Sequence, residues 1–233
     1  MKTTEALIFP ERVQATHTAL NQYYGERHWR KLRDPLGELI LTILSQNTSD
    51  VNSGRAYQEL RSVFPHWHAV LEAPTEELYA VIKSAGLGNI KAPRIQNTLR
   101  SILERRGEFS LDFLAALPLE DARAWLTSLD GIGPKTAACV LMFALGMPAL
   151  PVDTHVHRVS LRLGLIGSRV SAEKAHQLLE KALQPEQVYS FHMNMIQHGR
   201  KLCHAQRPAC ERCPLSVECR WWQEQTLTGA EPT

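Results

Sequence analysis

An amine, a carboxylate and a glycine-rich turn stand close together in this chain. Lys135 follows the turn in Leu129-Asp130-Gly131-Ile132-Gly133-Pro134-Lys135-Thr136-Ala137-Ala138, and Asp153 comes eighteen positions later in Pro151-Val152-Asp153-Thr154-His155. Glycines at Gly131 and Gly133 permit positive φ and leave no side chain between the backbone and an approaching group. The flanking segments read as helices, so the turn aims bare N–H groups and a helix N-terminus at an anion such as a phosphate. Lys135 adds its amine at the same edge. Together these groups point to chemistry on a nucleic-acid backbone. Each part also has a simpler role: Asp153 suits a helix N-cap before Thr154, and Lys135 a solvated surface position. A nucleotide-binding P-loop is excluded. Pro134 stands where that motif needs glycine, and the preceding Ala124-Trp125-Leu126-Thr127-Ser128-Leu129 reads as helix and not strand.

A second cluster lies near the C-terminal end. Cys203, Cys210, Cys213 and Cys219 are separated by six, two and five residues, so four of the five cysteines fall within seventeen positions. Met1-Lys2-Thr3-Thr4-Glu5 opens without a long apolar run, so no secretory signal is read. Clustered cysteines in a cytosolic chain suit a metal better than disulfides. Structural zinc sites commonly use two Cys-x-x-Cys knuckles, whereas this chain has one, at Cys210 and Cys213. An all-cysteine set equally suits a [4Fe–4S] cluster, one thiolate per iron. Spacing alone leaves zinc and iron–sulfur both open. Cys139, alone after Lys135, reads as a small core residue.

In their order and separations these motifs resemble the endonuclease III family of DNA glycosylases, within the helix-hairpin-helix superfamily. Ile43-Leu44-Ser45-Gln46-Asn47-Thr48-Ser49-Asp50 and Ile82-Lys83-Ser84-Ala85-Gly86-Leu87 resemble two further family loops, and the likeness runs from about Leu36 to Cys219. The resemblance implies an all-α fold of two helical lobes with the active site in the cleft between them. Residues 27–147 would form a six-helix domain with the hairpin; residues 1–26 with 148–233 would form a second lobe. It further implies that Cys203, Cys210, Cys213 and Cys219 hold a [4Fe–4S] cluster, whose role is to keep a DNA-contacting loop in shape.

The activity implied is that of a bifunctional DNA glycosylase/AP lyase. Its partner would be double-stranded DNA carrying oxidised or ring-saturated pyrimidines or abasic sites, met by a monomer. A stacked base is out of reach, so the nucleotide must be flipped into a pocket. Gln46 and Asn47 on one loop and Leu87 on another are the candidates to fill the gap. Gly131 and Gly133 would grip a phosphate, with Arg200 and Arg207 touching backbone elsewhere. Lys135 would attack the sugar C1′ and form a Schiff base, followed by β-elimination. An ordinary lysine, with a pKa near ~10.4, is neutral in about one part in a thousand at pH 7. Asp153 would therefore take a proton from the amine or stabilise positive charge on the sugar. Two departures stand out: Pro134 replaces the basic residue usual before the lysine, and the first loop reads Ser45-Gln46-Asn47-Thr48 where familiar members have Ser-Ala-Gln-Ala. A mismatch-specific thymine, uracil or adenine glycosylase and a non-catalytic DNA-structure binder are the alternatives.

The elements that must position these groups are helices. Asp34-Pro35 reads as cap and first turn before Leu36, Leu39, Ile40, Ile43 and Leu44 at helical spacing. Asp50 caps a candidate helix carrying Ala56, Tyr57, Leu60 and Phe64, and Pro74-Thr75-Glu76-Glu77 opens a short one ending near Gly86. Ile95, Leu99, Ile102 and Leu103 mark a longer helix closed by Gly107. Later helices start at Pro118, Lys135, near Thr154, Ser171 and Pro185, and residues 221–233 read as a loosely held tail. Strand-like alternation is absent. The chain has 26 Lys and Arg against 24 Asp and Glu, so any basic surface is local. One such excess lies between Gly199 and Arg220, where five cations face two anions. No apolar run approaches membrane-spanning length, and a cytoplasmic protein, nucleoid-associated in a bacterium, is expected.

Overall fold

The computed structural model describes residues 7–228, which are helical apart from their connections. In chain order the helices are α1 (Pro10–Tyr24), α2 (Pro35–Ser45), α3 (Asp50–Val63), α4 (Trp67–Glu72), α5 (Thr75–Ile82) and α6 (Gly88–Arg106). They continue as α7 (Leu119–Thr127), α8 (Pro134–Cys139), α9 (Thr154–Leu163), α10 (Ala172–Lys181), α11 (Gln187–Lys201) and α12 (Arg220–Thr228). The extended pairing among the described residues is one antiparallel bridge, Ile8 to Ile166. The chain divides into two compact units, residues 31–147 and the described residues before 31 together with those from 148 onward.

In the first unit α2 is the central element. Asp34 caps it by accepting from the Gly37 N–H at 2.8 Å, and Pro35 takes the first helical position, where a missing N–H costs nothing. Leu36, Leu39, Ile40, Ile43 and Leu44 are at most 1% exposed. Apolar residues on every side make this a helix for an interior, and α3, α6 and α8 pack around it. Burying one such leucine contributes about 1.5–3 kcal/mol, so this helix holds the unit together.

Several boundaries differ from the sequence expectation. Ser49, not Asp50, caps α3, accepting from the Asn52 N–H at 3.3 Å; Asp50 is the first helical residue, where its charge still favours the helix N-terminus. The short α4 was not legible in the periodicity, and it is pinned by the Arg61 guanidinium lying 4.2 Å from the centre of the Trp67 ring. Beyond Cys139, α8 runs into a π-helical turn, Val140–Ala144, that also packs on α2.

In the second unit α9 packs on α11, α11 on α1, and α12 on α9. Residues 221–228 are therefore not a loose tail. Trp221 lies 4.6 Å beneath the Arg162 guanidinium, and the Arg220 side chain closes over Gly164. The rest of that expected tail, residues 229–233, lies outside the described residues.

Candidate active site

The hairpin turn is built from α7, the residues 128–133 and α8. Ile132 is 4% exposed and donates its N–H to the Leu129 carbonyl at 3.1 Å, so the turn is anchored by its middle residue. Gly131 has φ +72°, and a Cβ there would stand 2.7 Å from Arg94 Nε. The conformation demands glycine, and a Cβ would also push the Arg94 side chain aside. Positive φ was expected at both glycines but is found only at this one. Gly133 has φ −90° and ψ 176°, ordinary extended backbone, with open space where a Cβ would stand. What glycine offers at Gly133 is clearance for a group approaching from outside.

Pro134 is the first residue of α8 and Lys135 the second, half-buried. Since proline has no N–H, Lys135 and Thr136 supply the first-turn donors that lack an intrahelical partner. Glu38 of α2 is a neighbour the motif reading missed. It is 7% exposed and accepts from Arg33 Nη1 at 3.2 Å. Burial raises its pKa, while the charges of Arg33 and Lys135 pull it back down. A carboxylate therefore lies within electrostatic reach of the candidate nucleophile, inside the same unit. Its signal in the sequence was an acid within an otherwise apolar helix.

The two candidate gap-filling loops lie at the end of α2 and the start of α6. Gln46, half-buried, accepts from Arg94 Nη1 at 2.7 Å through its side-chain oxygen. Asn47 is exposed with φ +54°, and Leu87 is 48% exposed with φ +49°. The leucine is thus not a core residue. Among the described residues the non-glycine positions with left-handed backbone are Asn47, Leu87 and Arg207. Asparagine adopts that conformation readily, whereas leucine and arginine do so at a cost of about 1–3 kcal/mol.

Asp153 is the N-cap of α9, its Oδ1 accepting from the Val156 N–H at 2.8 Å. The cap role foreseen as the simpler one is real. It also fixes the carboxylate on a helix N-terminus, where an anion is stabilised. The same helix carries Arg158 and Arg162 further along. Arg158 donates to the carbonyls of Gly199 (3.0 Å) and Cys203 (2.8 Å), and Arg162 donates to those of His204 (2.5 Å) and Ala205 (2.9 Å). One helix therefore presents Asp153 at its start and holds the cysteine-bearing loop from its middle and last turn.

Cys203, Cys210, Cys213 and Cys219 line one apolar cavity, closed by Arg162, His198, Trp221 and Trp222. None of the four is in a disulfide. Burial pushes the thiols of Cys210 and Cys213 up to about 11, with a further rise from the neighbouring cysteines, and raises Cys219 likewise. Arg162 Nη1 lies 3.4 Å from Cys203 Sγ, and the Leu215 N–H donates to Cys213 Sγ at 3.4 Å. His198 Nε2 is 3.6 Å from Cys213 Sγ and its Nδ1 3.1 Å from the Tyr24 hydroxyl. Burial holds the His198 pKa down to about 4, so the ring is neutral near pH 7. Arg200 is exposed in the last turn of α11, and Arg207 is exposed within the Cys203–Cys210 loop.

Comparison with known proteins gives the family. The model of the family described as HhH-GPD superfamily base excision DNA repair protein matches residues 40–185. The chain is 37% identical over 196 residues to endonuclease III of Thermotoga maritima, covering 84% of this chain and 87% of that protein. It is 34% identical over 196 residues to endonuclease III of Bacillus subtilis, covering 84% and 85%. A solved structure of a non-covalent endonuclease III–DNA complex matches with TM-score 0.81 and 30% identity over 95% of this chain and 100% of that one.

Proposed function

The chain belongs to the endonuclease III family of HhH-GPD base excision repair proteins, DNA glycosylases with AP lyase activity, and we propose that Lys135 is its Schiff-base nucleophile. The single observation that carries this reading is the position of Lys135 as the second residue of α8, directly behind a glycine turn with clearance at Gly133. The amine attacks C1′ of the flipped nucleotide; the bond from C1′ to the base breaks, and the base leaves with the electron pair. Loss of a proton from nitrogen and ring opening give the protonated Schiff base. Abstraction of a proton from C2′ then expels the 3′ phosphate by β-elimination. Asp153 accepts the proton from the amine or stabilises positive charge on the sugar, and its cap bond to Val156 fixes the carboxylate for that task. Gly131 lets the turn adopt its positive φ, and Gly133 leaves the backbone bare toward a DNA phosphate. Asn47 and Leu87 fill the gap left by the flipped nucleotide, both exposed on left-handed backbone. Gln46 supports that loop from behind, its amide turned to Arg94. Arg200 and Arg207 meet DNA backbone.

The substrates proposed are oxidised or ring-saturated pyrimidines such as thymine glycol and dihydrouracil. Loss of ring planarity weakens their stacking, which lowers the cost of flipping. Cys203, Cys210, Cys213 and Cys219 are proposed to hold a [4Fe–4S] cluster. The donor set fits: four free thiols ring one cavity, one for each iron. When bound, the cluster supplies fixed attachment points for residues 203–219.

Borohydride trapping on single-lesion duplexes tests the reading. The parent protein should cross-link to thymine glycol and abasic-site DNA and leave a normal thymine opposite guanine nearly untouched. Lys135→Gln should abolish the cross-link with little change in DNA affinity. A variant that cross-links at the parent rate would assign the chemistry to another amine, and strong action on the mispaired thymine would move the protein to the mismatch class.

A further inference from the structure

Helix α6 carries two cations one turn apart, Lys91 and Arg94, and both reach into loops proposed to meet DNA. Lys91 is 1% exposed, among the largest fully buried side chains described. Its ammonium donates to the Leu44 carbonyl at 2.7 Å and the Ala85 carbonyl at 2.8 Å. Leu44 leads into Ser45-Gln46-Asn47, and Ala85 into Gly86-Leu87. One buried charge therefore ties together the roots of both loops. Arg94, half-buried, donates to Gln46 Oε1 at 2.7 Å, and its side chain lies over the Cα of Gly131, close enough that a Cβ there would displace it. A lysine is costly to bury, and the two carbonyls accept from two of its three N–H donors. Asn47 and Leu87 then sit in left-handed conformations that the surrounding bonds must maintain.

We infer that Arg94, acting with Lys91, is a positioning residue that couples both gap-filling loops to the hairpin turn, so that Asn47 and Leu87 are preset before a nucleotide is flipped. The inference rests on the proposed base-flipping reading and deepens it. Arg94 acts through the Gln46 side chain and the Gly131 backbone, and it takes no part in bond making. Its loss should therefore fall on flipping and spare the lysine chemistry once a site is already without a base.

The test uses a duplex with thymine glycol beside 2-aminopurine, whose fluorescence rises when stacking is lost, and a second duplex with a preformed abasic site. Parent, Arg94→Met, Gln46→Ala and the double variant are compared in single-turnover excision. Arg94→Met should lower excision and the fluorescence rise about tenfold, since small displacements of positioned groups cost that much or more. Its borohydride cross-link to the abasic duplex should stay within about twofold of the parent. If Arg94 works through Gln46, the double variant should be no slower than Arg94→Met alone. Parent-like excision by Arg94→Met, or losses in the double variant that multiply, would overturn the coupling. An equal loss on the abasic duplex would overturn it too, since that marks general disruption. A parent protein that fails to cross-link at all would sink the lysine reading itself, a different result from any of these.

Discussion

Residues 44–133 and residues 203–219 both carry segments proposed to touch DNA, yet they are held in shape by different means. In the first, helices do the holding. Lys91 and Arg94 of α6 pin the loop roots, Ile132 anchors the hairpin in the core, and α2 supports α8 and the π-helical turn behind it. In the second, regular structure is nearly absent: a single 3-10 turn at Cys210–Arg212, with only Pro208, Leu215 and Cys219 buried. Its fixed points are the arginine bonds from α9 to carbonyls 203–205 and four thiols around a cavity. The lesson is that the first region carries its own packing energy, whereas the second lacks a core and, on the proposed reading, depends on the cluster its cysteines would hold.

Removing one thiol should break this comparison open most widely. Cys213→Ser should bleach the yellow-brown colour expected of the cluster and reduce bound iron from roughly four per chain. Hydrogen exchange should then show lost protection over residues 203–219 with α6 unchanged. Colourless parent protein carrying stoichiometric zinc would overturn the cluster, and equal loosening of α6 would remove the distinction between the regions.

Asp153→Asn separates two roles of a single side chain. Asparagine caps a helix about as well as aspartate, so thermal stability should hold to within roughly 0.5 kcal/mol. Base excision should nevertheless fall by about 100-fold or more, as expected for loss of a proton acceptor. A variant that excises at the parent rate would leave Asp153 as a cap alone.

The two hairpin glycines sharpen the contrast within the first region. Gly131→Ala must adopt φ +72° and meets Arg94, so it should lower stability by about 1–3 kcal/mol and loosen the Gln46 tether with it. Gly133→Ala meets nothing and has ordinary φ, so it should melt with the parent but bind duplex DNA several-fold more weakly. Equal melting of both variants would discredit the geometric difference between them.

Much of this was legible in the sequence, and what was missed has physical reasons. Caps and turn glycines announced α2, α5 and α6, because Asp34 and Gly107 satisfy or terminate backbone locally. The helix α4 and the ordering of α12 depend on Arg61 over Trp67 and Arg162 over Trp221, contacts between side chains that no periodicity encodes. Lys135, Asp153 and the cysteines were singled out by motif. Lys91, Arg94 and Glu38 were not, since each matters through a partner brought near by folding. A charged residue inside an apolar pattern was the available clue for Glu38 and, on α6, for Lys91.

Glu38 supplies the smallest effect. Its folded-state pKa is raised, with burial outweighing Arg33 and Lys135. The folded protein therefore holds the Glu38 proton more tightly than the unfolded chain does. Stability from this group is fully present below the unfolded carboxylate pKa and is lost as pH rises through the folded value. At neutral pH the ionised carboxylate is a net burden on the unit, only partly offset by the Arg33 bond at 3.2 Å. Glu38→Gln keeps an acceptor for Arg33 and removes the charge. It should melt slightly higher than the parent near pH 7, with the difference shrinking toward zero below about pH 4. Thermal melts across that range decide the matter: a variant less stable at pH 7 would mean that attraction to Arg33 and Lys135 outweighs burial, making Glu38 a supporting charge for the nucleophile's helix.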